Sequence, residues 1–203
     1  SNINKQSNEI AQQVDRTNEQ LGAGDIGIAF GYATNETKDL LPLPYILATK
    51  FIHKINVLTK SKVLKYANYD SKCQVTVRYE DNKPVDIETV IVSLQHFKQA
   101  NIPSLRNQIK EKVLDPFAKE YGMKTNFVFE LNKNGSFISG GPFADTGVPG
   151  RKLMVDTYGS LGRHGGGAFS GKDYTKVDRT GAYYARYIAK NLVKAGVADK
   201  IEL

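Results

Sequence analysis

Glycine is concentrated in one stretch of this chain. Ten of its 18 glycines lie between Gly140 and Gly171, within a sequence of 203 residues. Glycine weakens regular elements and lets backbone N–H groups approach an anion closely. We therefore predict loops here around one short strand, residues 153–158, with a backbone suited to binding an anion.

Basic side chains accompany these glycines. Six groups that can carry positive charge fall within 26 residues, namely Arg151, Lys152, Arg163, His164, Lys172 and Lys176. Cations beside a glycine-rich backbone favour a polyphosphate, because both supply donors to its oxygens. Residues 166–172 also satisfy G-x-x-x-x-G-K, but Asp173 stands where a P-loop requires Ser or Thr. A flexible surface loop remains the simpler alternative.

Carboxylates are interleaved with the bases at four positions, Asp145, Asp156, Asp173 and Asp178. This combination is typical of a magnesium–nucleotide site, because Mg²⁺ bridges carboxylate and phosphate oxygens. Simpler interpretations stay open. Asp178 fits a helix cap and Asp156 a solvated strand face. Asp25 fits a plain turn, and Asp70 with Lys72 fits an exposed ion pair.

The composition limits the classes of protein. The net charge is +7, from 28 Lys and Arg against 21 Asp and Glu. This basic excess leaves a nucleic-acid binder as an alternative that rests on charge alone. No apolar run could span a bilayer, and residues 1–16 lack the apolar segment of a signal peptide. The single cysteine, Cys73, is predicted to be buried and inert, and a cytoplasmic location is predicted.

Hydrophobic periodicity predicts an α+β fold, with antiparallel sheets and helices packed on one face. Strands are predicted at residues 26–33, 75–79, 85–94, 126–131 and 135–138, with another starting at Lys200. Turns at residues 80–83 and 132–135 join four of these strands into two hairpins. Helices are predicted at residues 45–61 and 102–117, and a last one from an Asp178 N-cap to Gly196. Tyr183, Tyr184 and Tyr187 form part of one face of that helix, in the core or at an interface.

Five segments carry a specific pattern. They are Gly22-Ala-Gly-Asp25 with residues 30–36, Ile138-Ser-Gly-Gly-Pro142 with Asp145 and Gly150-Arg-Lys152, Val155-Asp-Thr-Tyr-Gly159, His164-Gly-Gly-Gly-Ala-Phe-Ser-Gly-Lys-Asp173, and Lys176-Val-Asp-Arg179. These segments resemble the S-adenosylmethionine synthetases, also called methionine adenosyltransferases. The similarity runs from about Lys5 to the end of the chain.

The resemblance implies a reaction and an architecture. Methionine sulfur would attack C5′ of ATP, and the tripolyphosphate would then be cut to pyrophosphate and phosphate. Two Mg²⁺ ions and K⁺ are the implied cofactors, and the partner is a second copy, in a homodimer or dimer of dimers with the active site at the interface. No nucleic acid or membrane is implied. The family fold is a pseudo-symmetric set of three α+β units, two-layered and interleaved along the chain. Residues 1–20 would be a mobile gating loop, 21–139 a central segment, and 140–203 the polyphosphate-binding segment and the start of the C-terminal segment.

The resemblance also implies roles for individual residues. The catalytic residues, which would bind the polyphosphate, would be Arg151, Lys152, Lys172 and Lys176. ATP would further contact Asp70, Lys72, Phe137, Asp145 and Ala168. Methionine would contact Gln6, Asp25, Asp145 and Lys176, with Gln6 at the base of the gating loop, residues 6–16. Asp178 matches the magnesium-binding carboxylate of the family.

The sequence departs from the family pattern in places. The family's His-Pro-Asp turn and its potassium-binding glutamate belong to a preceding segment that these 203 residues do not include. Ile26 stands where the family usually has glutamine, and Tyr174 where it has proline. We therefore expect these 203 residues alone to be inactive and a longer parent enzyme to be active. A truncated nucleotide-binding paralogue or interaction module is the alternative.

Overall fold

The computed structural model describes residues 4–15 and 22–203, which fall into two compact units. Unit 1 comprises residues 1–41 and 148–203, and unit 2 comprises residues 42–147. The helices are α1 (Asn8–Val14), α2 (Leu43–Lys60), α3 (Ile102–Ile109), α4 (Asp115–Glu120), α5 (Leu153–Asp156) and α6 (Val177–Lys194). The strands are β1 (Tyr32–Thr34), β2 (Ala67–Glu80), β3 (Lys83–His96), β4 (Val128–Leu131) and β5 (Lys200–Glu202). Within these described ranges, no helix combines the length and apolarity needed to cross a membrane.

A long hairpin forms most of the sheet of unit 2. β2 and β3 pair antiparallel. Asp81 and Asn82 both have positive φ, 49° and 61°, which a two-residue type I′ turn requires. The predicted hairpin at residues 75–94 is therefore confirmed, and both strands extend beyond its predicted bounds.

The core of unit 2 explains the predicted helix at residues 45–61. α2 packs on β2, and its buried side chains include Leu47, Phe51 and Ile55, spaced by four residues. On β3 the alternate residues Val90, Val92 and Leu94 are fully buried. The apolar side chains that repeat along the helix and those that alternate along the strand therefore pack into one core.

The second predicted helix, residues 102–117, forms as three consecutive helical pieces. Asn101 caps α3 by accepting a hydrogen bond from Ser104 N at 2.9 Å. A π-helical turn, Lys110–Leu114, then leads into α4. Pro116 lacks an N–H and its ring crowds the preceding turn, which accounts for the change in helical geometry just before it.

The second predicted hairpin, residues 126–138, is wrong. β4 forms, but it pairs parallel with β3, and residues 135–138 form no strand. The chain turns at Asn132, which has φ 50° and whose side chain bonds both the N–H and the C=O of Leu94. The α+β class is confirmed, with a mixed sheet where only antiparallel pairing was predicted.

Unit 1 is built on α6 and a small antiparallel sheet. β1 pairs with β5, which confirms the predicted strand at Lys200. Ala33, Ala189 and Val193 form its buried cluster. Gly196 has φ 78° directly after the helix ends, as predicted for a C-terminal glycine.

Three local predictions in unit 1 are wrong. Residues 26–31 are not a strand, and the alternating Ile26 and Ile28 are 101% and 69% exposed, so the pattern marks no buried face. Residues 153–156 form the helical turn α5, closed by Asp156 N donating to the carbonyl of Lys152 at 2.9 Å. The N-cap of α6 is residue 176, and Asp178 lies in the first turn.

Candidate active site

An ion pair joins the glycine-rich loop, residues 164–173, to the start of α6. Lys172 Nζ lies 2.5 Å from Asp178 Oδ2, and both side chains are half-buried. The first turn of a helix has free N–H groups, so its dipole favours a carboxylate there. A partly exposed pair contributes about 1 kcal/mol or less to stability. Its main consequence is therefore positional, because it fixes an ammonium group beside a carboxylate.

Two glycines of this loop are required by close contacts. A Cβ on Gly167 would lie 2.1 Å from Asp178 Cγ, and one on Gly165 would lie 1.6 Å from the carbonyl oxygen of Ile28. No real Cβ makes such contacts, so only glycine lets the loop lie against the carboxylate and the segment before β1. Ala168 follows directly and is half-buried. The glycine cluster thus permits close approach rather than flexibility.

Packed aromatic rings support the same loop. His164 Nδ1 accepts a hydrogen bond from Gly166 N at 2.8 Å, and its ring lies 5.1 Å from that of Phe169. Phe169 packs edge-on against Tyr183 at 5.5 Å. Arg179 lies over the Tyr183 ring and donates to the carbonyl of Lys172. The sequence analysis counted His164 among the cations that favour a polyphosphate. It gave Phe169 and Arg179 no role in the site, although both stand in the motifs.

Lys176 and Gln6 meet in unit 1. Lys176 Nζ donates to Gln6 Oε1 at 2.9 Å and to Thr175 Oγ1 at 3.2 Å. Asp173 Oδ2 lies 3.6 Å from the same Nζ. Hydrogen bonds from the Thr175 hydroxyl and N–H lower the pKa of the Asp173 carboxyl, with a smaller contribution from Lys176. Asp173 is therefore an ionised group that helps hold Lys176 in place.

Arg151 and Lys152 lie beside the glycine-rich loop. A Cβ on Gly150, which has φ 74°, would lie 2.4 Å from Ser170 Cβ, so the two segments are in contact. Both basic side chains are exposed, and neither pairs with another side chain in the part of the chain that is described. They are therefore available to an anionic ligand.

Asp25 lies in an exposed irregular segment next to α1. Its Oδ1 accepts a hydrogen bond from Ile26 N at 2.8 Å. Gly22 N donates to the carbonyl of Val14 at 2.9 Å, and a Cβ on Gly24 would collide with the Gln13 side chain. The predicted gating loop, residues 1–20, thus contains the short helix α1, and its residues 1–3 and 16–20 lie outside the described residues.

Unit 2 brings Asp70 and Phe137 together around Gly140. Asp70 Oδ2 accepts from Gly141 N at 2.8 Å. A Cβ on Gly140 would lie 2.9 Å from the Phe137 ring and 3.1 Å from Asp70 Oδ2. Lys72 is exposed on β2 and forms no ion pair with Asp70, so that simpler interpretation is wrong.

One predicted residue of unit 2 remains, Asp145. Two residues at the end of β3, Gln95 and His96, were missed. Asp145 is exposed, and its N–H donates to the carbonyl of Gly141 at 3.0 Å. Gln95 and His96 bind the backbone of residues 137 and 138. The sequence signal was a polar pair directly after the predicted end of a strand at residue 94.

Lysines and a carboxylate held on glycine-rich backbone, in an α+β chain, are typical of proteins that bind phosphate. Two family models extend this classification. Residues 20–137 match the S-adenosylmethionine synthetase central domain, and residues 139–203 match the C-terminal domain of the same enzyme. The chain therefore belongs to the S-adenosylmethionine synthetase family, which confirms the resemblance of its motifs.

Individual relatives agree with the family models. An S-adenosylmethionine synthase of Mycoplasmopsis pulmonis is 49% identical over 203 residues, covering 100% of this chain and 54% of the relative. One from Mycoplasma capricolum is 49% identical over 99% of this chain and 52% of the relative. S-adenosylmethionine synthase 1 of Pinus contorta is 48% identical, with 99% and 53% covered. The chain spans about half the length of these relatives.

Proposed function

We propose that the complete protein makes S-adenosylmethionine from ATP and methionine and cuts the tripolyphosphate to pyrophosphate and phosphate. The observation that carries the proposal is the Lys172–Asp178 pair between the glycine-rich loop and α6, with Lys176 placed four residues after Lys172. The family of the chain supports the same reaction.

The chemistry suits a site made of cations. A thioether sulfur is a nucleophile that carries no proton, so the attack on C5′ needs no general base. The barrier lies in expelling a highly charged leaving group, and preorganised cations stabilise the charge that develops on it. We assign this role to the four catalytic residues, Arg151, Lys152, Lys172 and Lys176.

The donor set at the start of α6 fits a magnesium ion bound together with phosphate. In nucleotide sites Mg²⁺ takes one or two carboxylates and completes its shell with phosphate oxygens and water. Asp178 offers one carboxylate over the loop, and no cluster of three or more metal-binding side chains occurs among residues 4–15 and 22–203. When bound, Mg²⁺ would neutralise phosphate charge. We assign no residue of this chain to K⁺.

The other substrate-binding residues are assigned for each unit in turn. In unit 1 we assign Gln6, Asp25 and Lys176 to methionine, and Ala168 to the nucleotide. In unit 2 we assign Asp70, Lys72 and Phe137 to the nucleotide, with Asp145 contacting both substrates. Lys176 bonded to Gln6, and Asp70 beside Phe137, support these groupings.

We further propose that the complete protein is cytoplasmic and forms a homodimer or a dimer of dimers. Each subunit would consist of three pseudo-symmetric units. Tyr183, Tyr184 and Tyr187 are 53%, 64% and 63% exposed, so they do not belong to the core and remain candidates for an interface. Sedimentation of the complete protein tests its oligomeric state.

A direct assay tests the reaction. The complete gene product is incubated with ATP, methionine, Mg²⁺ and K⁺, and the products are separated by mass spectrometry. We expect S-adenosylmethionine, pyrophosphate and phosphate in equal amounts. ATP binding without any product would instead favour the non-catalytic paralogue. Turnover by the 203 residues alone would refute the expected inactivity of the isolated chain.

A further inference from the structure

Both ring nitrogens of His96 are hydrogen-bonded inside unit 2. The side chain ends β3 in a buried position, 4% exposed. Nδ1 lies 3.0 Å from the carbonyl oxygen of Phe97, which can only accept, so Nδ1 carries a proton and donates. Nε2 accepts from Phe137 N at 3.0 Å. The two bonds together define a neutral ring with its proton on Nδ1.

His96 pairs with both backbone groups of Phe137. Its own N–H donates to the carbonyl of Phe137 at 2.9 Å, and its ring receives the Phe137 N–H. Residues 135–138 form no strand, so a ladder does not hold this segment in register. Gln95 Nε2 adds a bond to the carbonyl of Ile138 at 3.0 Å. The end of β3 therefore holds the segment largely through these side chains.

The position of Phe137 is coupled to that of Asp70. Gly140 packs so closely that its missing Cβ would touch the Gln95 side chain and the Phe137 ring at 2.9 Å each. The next residue, Gly141, donates its N–H to Asp70. Moving the backbone of Phe137 would therefore disturb the turn that binds Asp70.

We infer that His96 is a positioning residue for the nucleotide: its imidazole ring holds the Phe137 backbone, and with it the Phe137 ring and the Asp70 contact. The inference rests on the proposed function, in which Phe137 and Asp70 contact ATP. His96 itself does not touch the substrate.

Two conservative variants separate this role from a purely structural one. In His96→Gln the amide reaches the position of Nε2 and can accept from the Phe137 N–H, whereas in His96→Asn it reaches only the position of Nδ1. A part-buried N–H left without an acceptor weakens the arrangement enough to raise KM for ATP about tenfold in His96→Asn. We expect KM for methionine to stay within about twofold, and His96→Gln to restore KM for ATP. His53→Asn, the same change at an exposed position on α2, is the matched control.

The outcomes are distinct. Equal rises in KM for ATP and KM for methionine would overturn the inference in favour of general destabilisation. So would an equal rise in KM for ATP in His96→Gln and His96→Asn. Failure of the unaltered protein to form S-adenosylmethionine would overturn the proposed function instead.

Hydrogen exchange gives a second measurement that does not need activity. In the unaltered protein we expect the Phe137 amide to exchange as slowly as amides of β3, and to exchange faster in His96→Asn than in His96→Gln. Rapid exchange in the unaltered protein would show that the ring does not hold this N–H. The measurement also covers the case in which His96→Asn is too unstable to assay.

Discussion

Lys176 Nζ donates a hydrogen bond to Gln6 Oε1 at 2.9 Å, although the two residues are 170 positions apart in the sequence. Family resemblance assigned each of them to methionine separately. The contact joins the residues preceding α1 to the N-cap of α6. Gln6 thereby orients an ammonium group that Asp173 also attracts.

Gln6→Ala removes the acceptor and leaves Lys176 free to turn toward Asp173. Loss of one hydrogen bond to a charged group costs about 1.5–3 kcal/mol, so we expect KM for methionine to rise at least about tenfold. Steady-state kinetics of the complete protein measures this effect. Gln99→Ala, the same change at an exposed position outside the predicted gating loop, serves as the control. Equal kinetics for the two variants would show that the Gln6 contact has no role.

Gly167→Ala places a methyl group where the Asp178 carboxylate lies, 2.1 Å from its Cγ. The carboxylate must move away from Lys172, so we expect the Mg²⁺ concentration for half-maximal activity to rise about tenfold or more. A magnesium titration of the activity measures this change. Gly147→Ala is the matched control, because its added Cβ meets nothing within 4 Å. An unchanged magnesium dependence in Gly167→Ala would contradict the proposed role of Asp178.

Sequence periodicity located the core elements but not the loops. The helix at residues 45–61 and the hairpin at residues 75–94 were predictable, because their apolar side chains repeat at the spacing of their own backbone. Ile26 and Ile28 alternate in the same way yet are exposed, since alternation alone cannot show whether a face is covered. The parallel pairing of β4 depends on the distant strand β3, which no local pattern reveals.

For the candidate site, the sequence predicted some residues and missed others. The motifs named Lys172, Lys176 and Asp178, and the structure joins Lys172 to Asp178. His96 was missed because its partners are one neighbouring carbonyl and one amide 41 positions away. Contacts of that kind depend on the folded backbone, so residue types and spacing do not show them.

Arg186 is expected to be essential for the stability of unit 1. Its Nη1 donates to the carbonyls of Tyr32 and Leu40 at 2.7 and 2.8 Å, and its Nη2 donates to Asp39 O at 2.9 Å. Arg186→Met would remove the guanidinium donors from all three carbonyls, and the Leu40 carbonyl would keep only the Thr34 N–H at 3.3 Å. We therefore expect the free energy of unfolding to fall by about 3 kcal/mol. Urea denaturation measures the loss. Lys190→Met, at an exposed position of the same helix, should change stability by less than about 0.5 kcal/mol.

Cys73 gives stability a dependence on alkaline pH. Burial raises the pKa of its thiol to about 12, whereas an unfolded cysteine has a pKa of about 8.5. Above pH 8.5 the unfolded chain binds fewer protons than the folded one, so the thiol makes stability fall as pH rises toward 12. Between pH 8 and 10 this contribution is about 2 kcal/mol. Denaturation of the unaltered protein and of Cys73→Ala should show the difference in slope. If stability changed with pH in parallel for the two proteins, the thiol would ionise equally in the folded and unfolded states.

Lys172→Ala tests the proposed polyphosphate site most directly. The change removes the ammonium group paired with Asp178 and leaves that carboxylate to repel the phosphates. Loss of one preorganised electrostatic donor typically costs about 100- to 1000-fold in kcat, and we expect a fall of that size. Pre-steady-state measurement of S-adenosylmethionine formation separates the transfer step from product release. Lys194→Ala, in the last turn of α6, keeps the same loss of charge away from the loop and should leave kcat unchanged. Near-normal turnover in Lys172→Ala would mean that the leaving group is stabilised elsewhere.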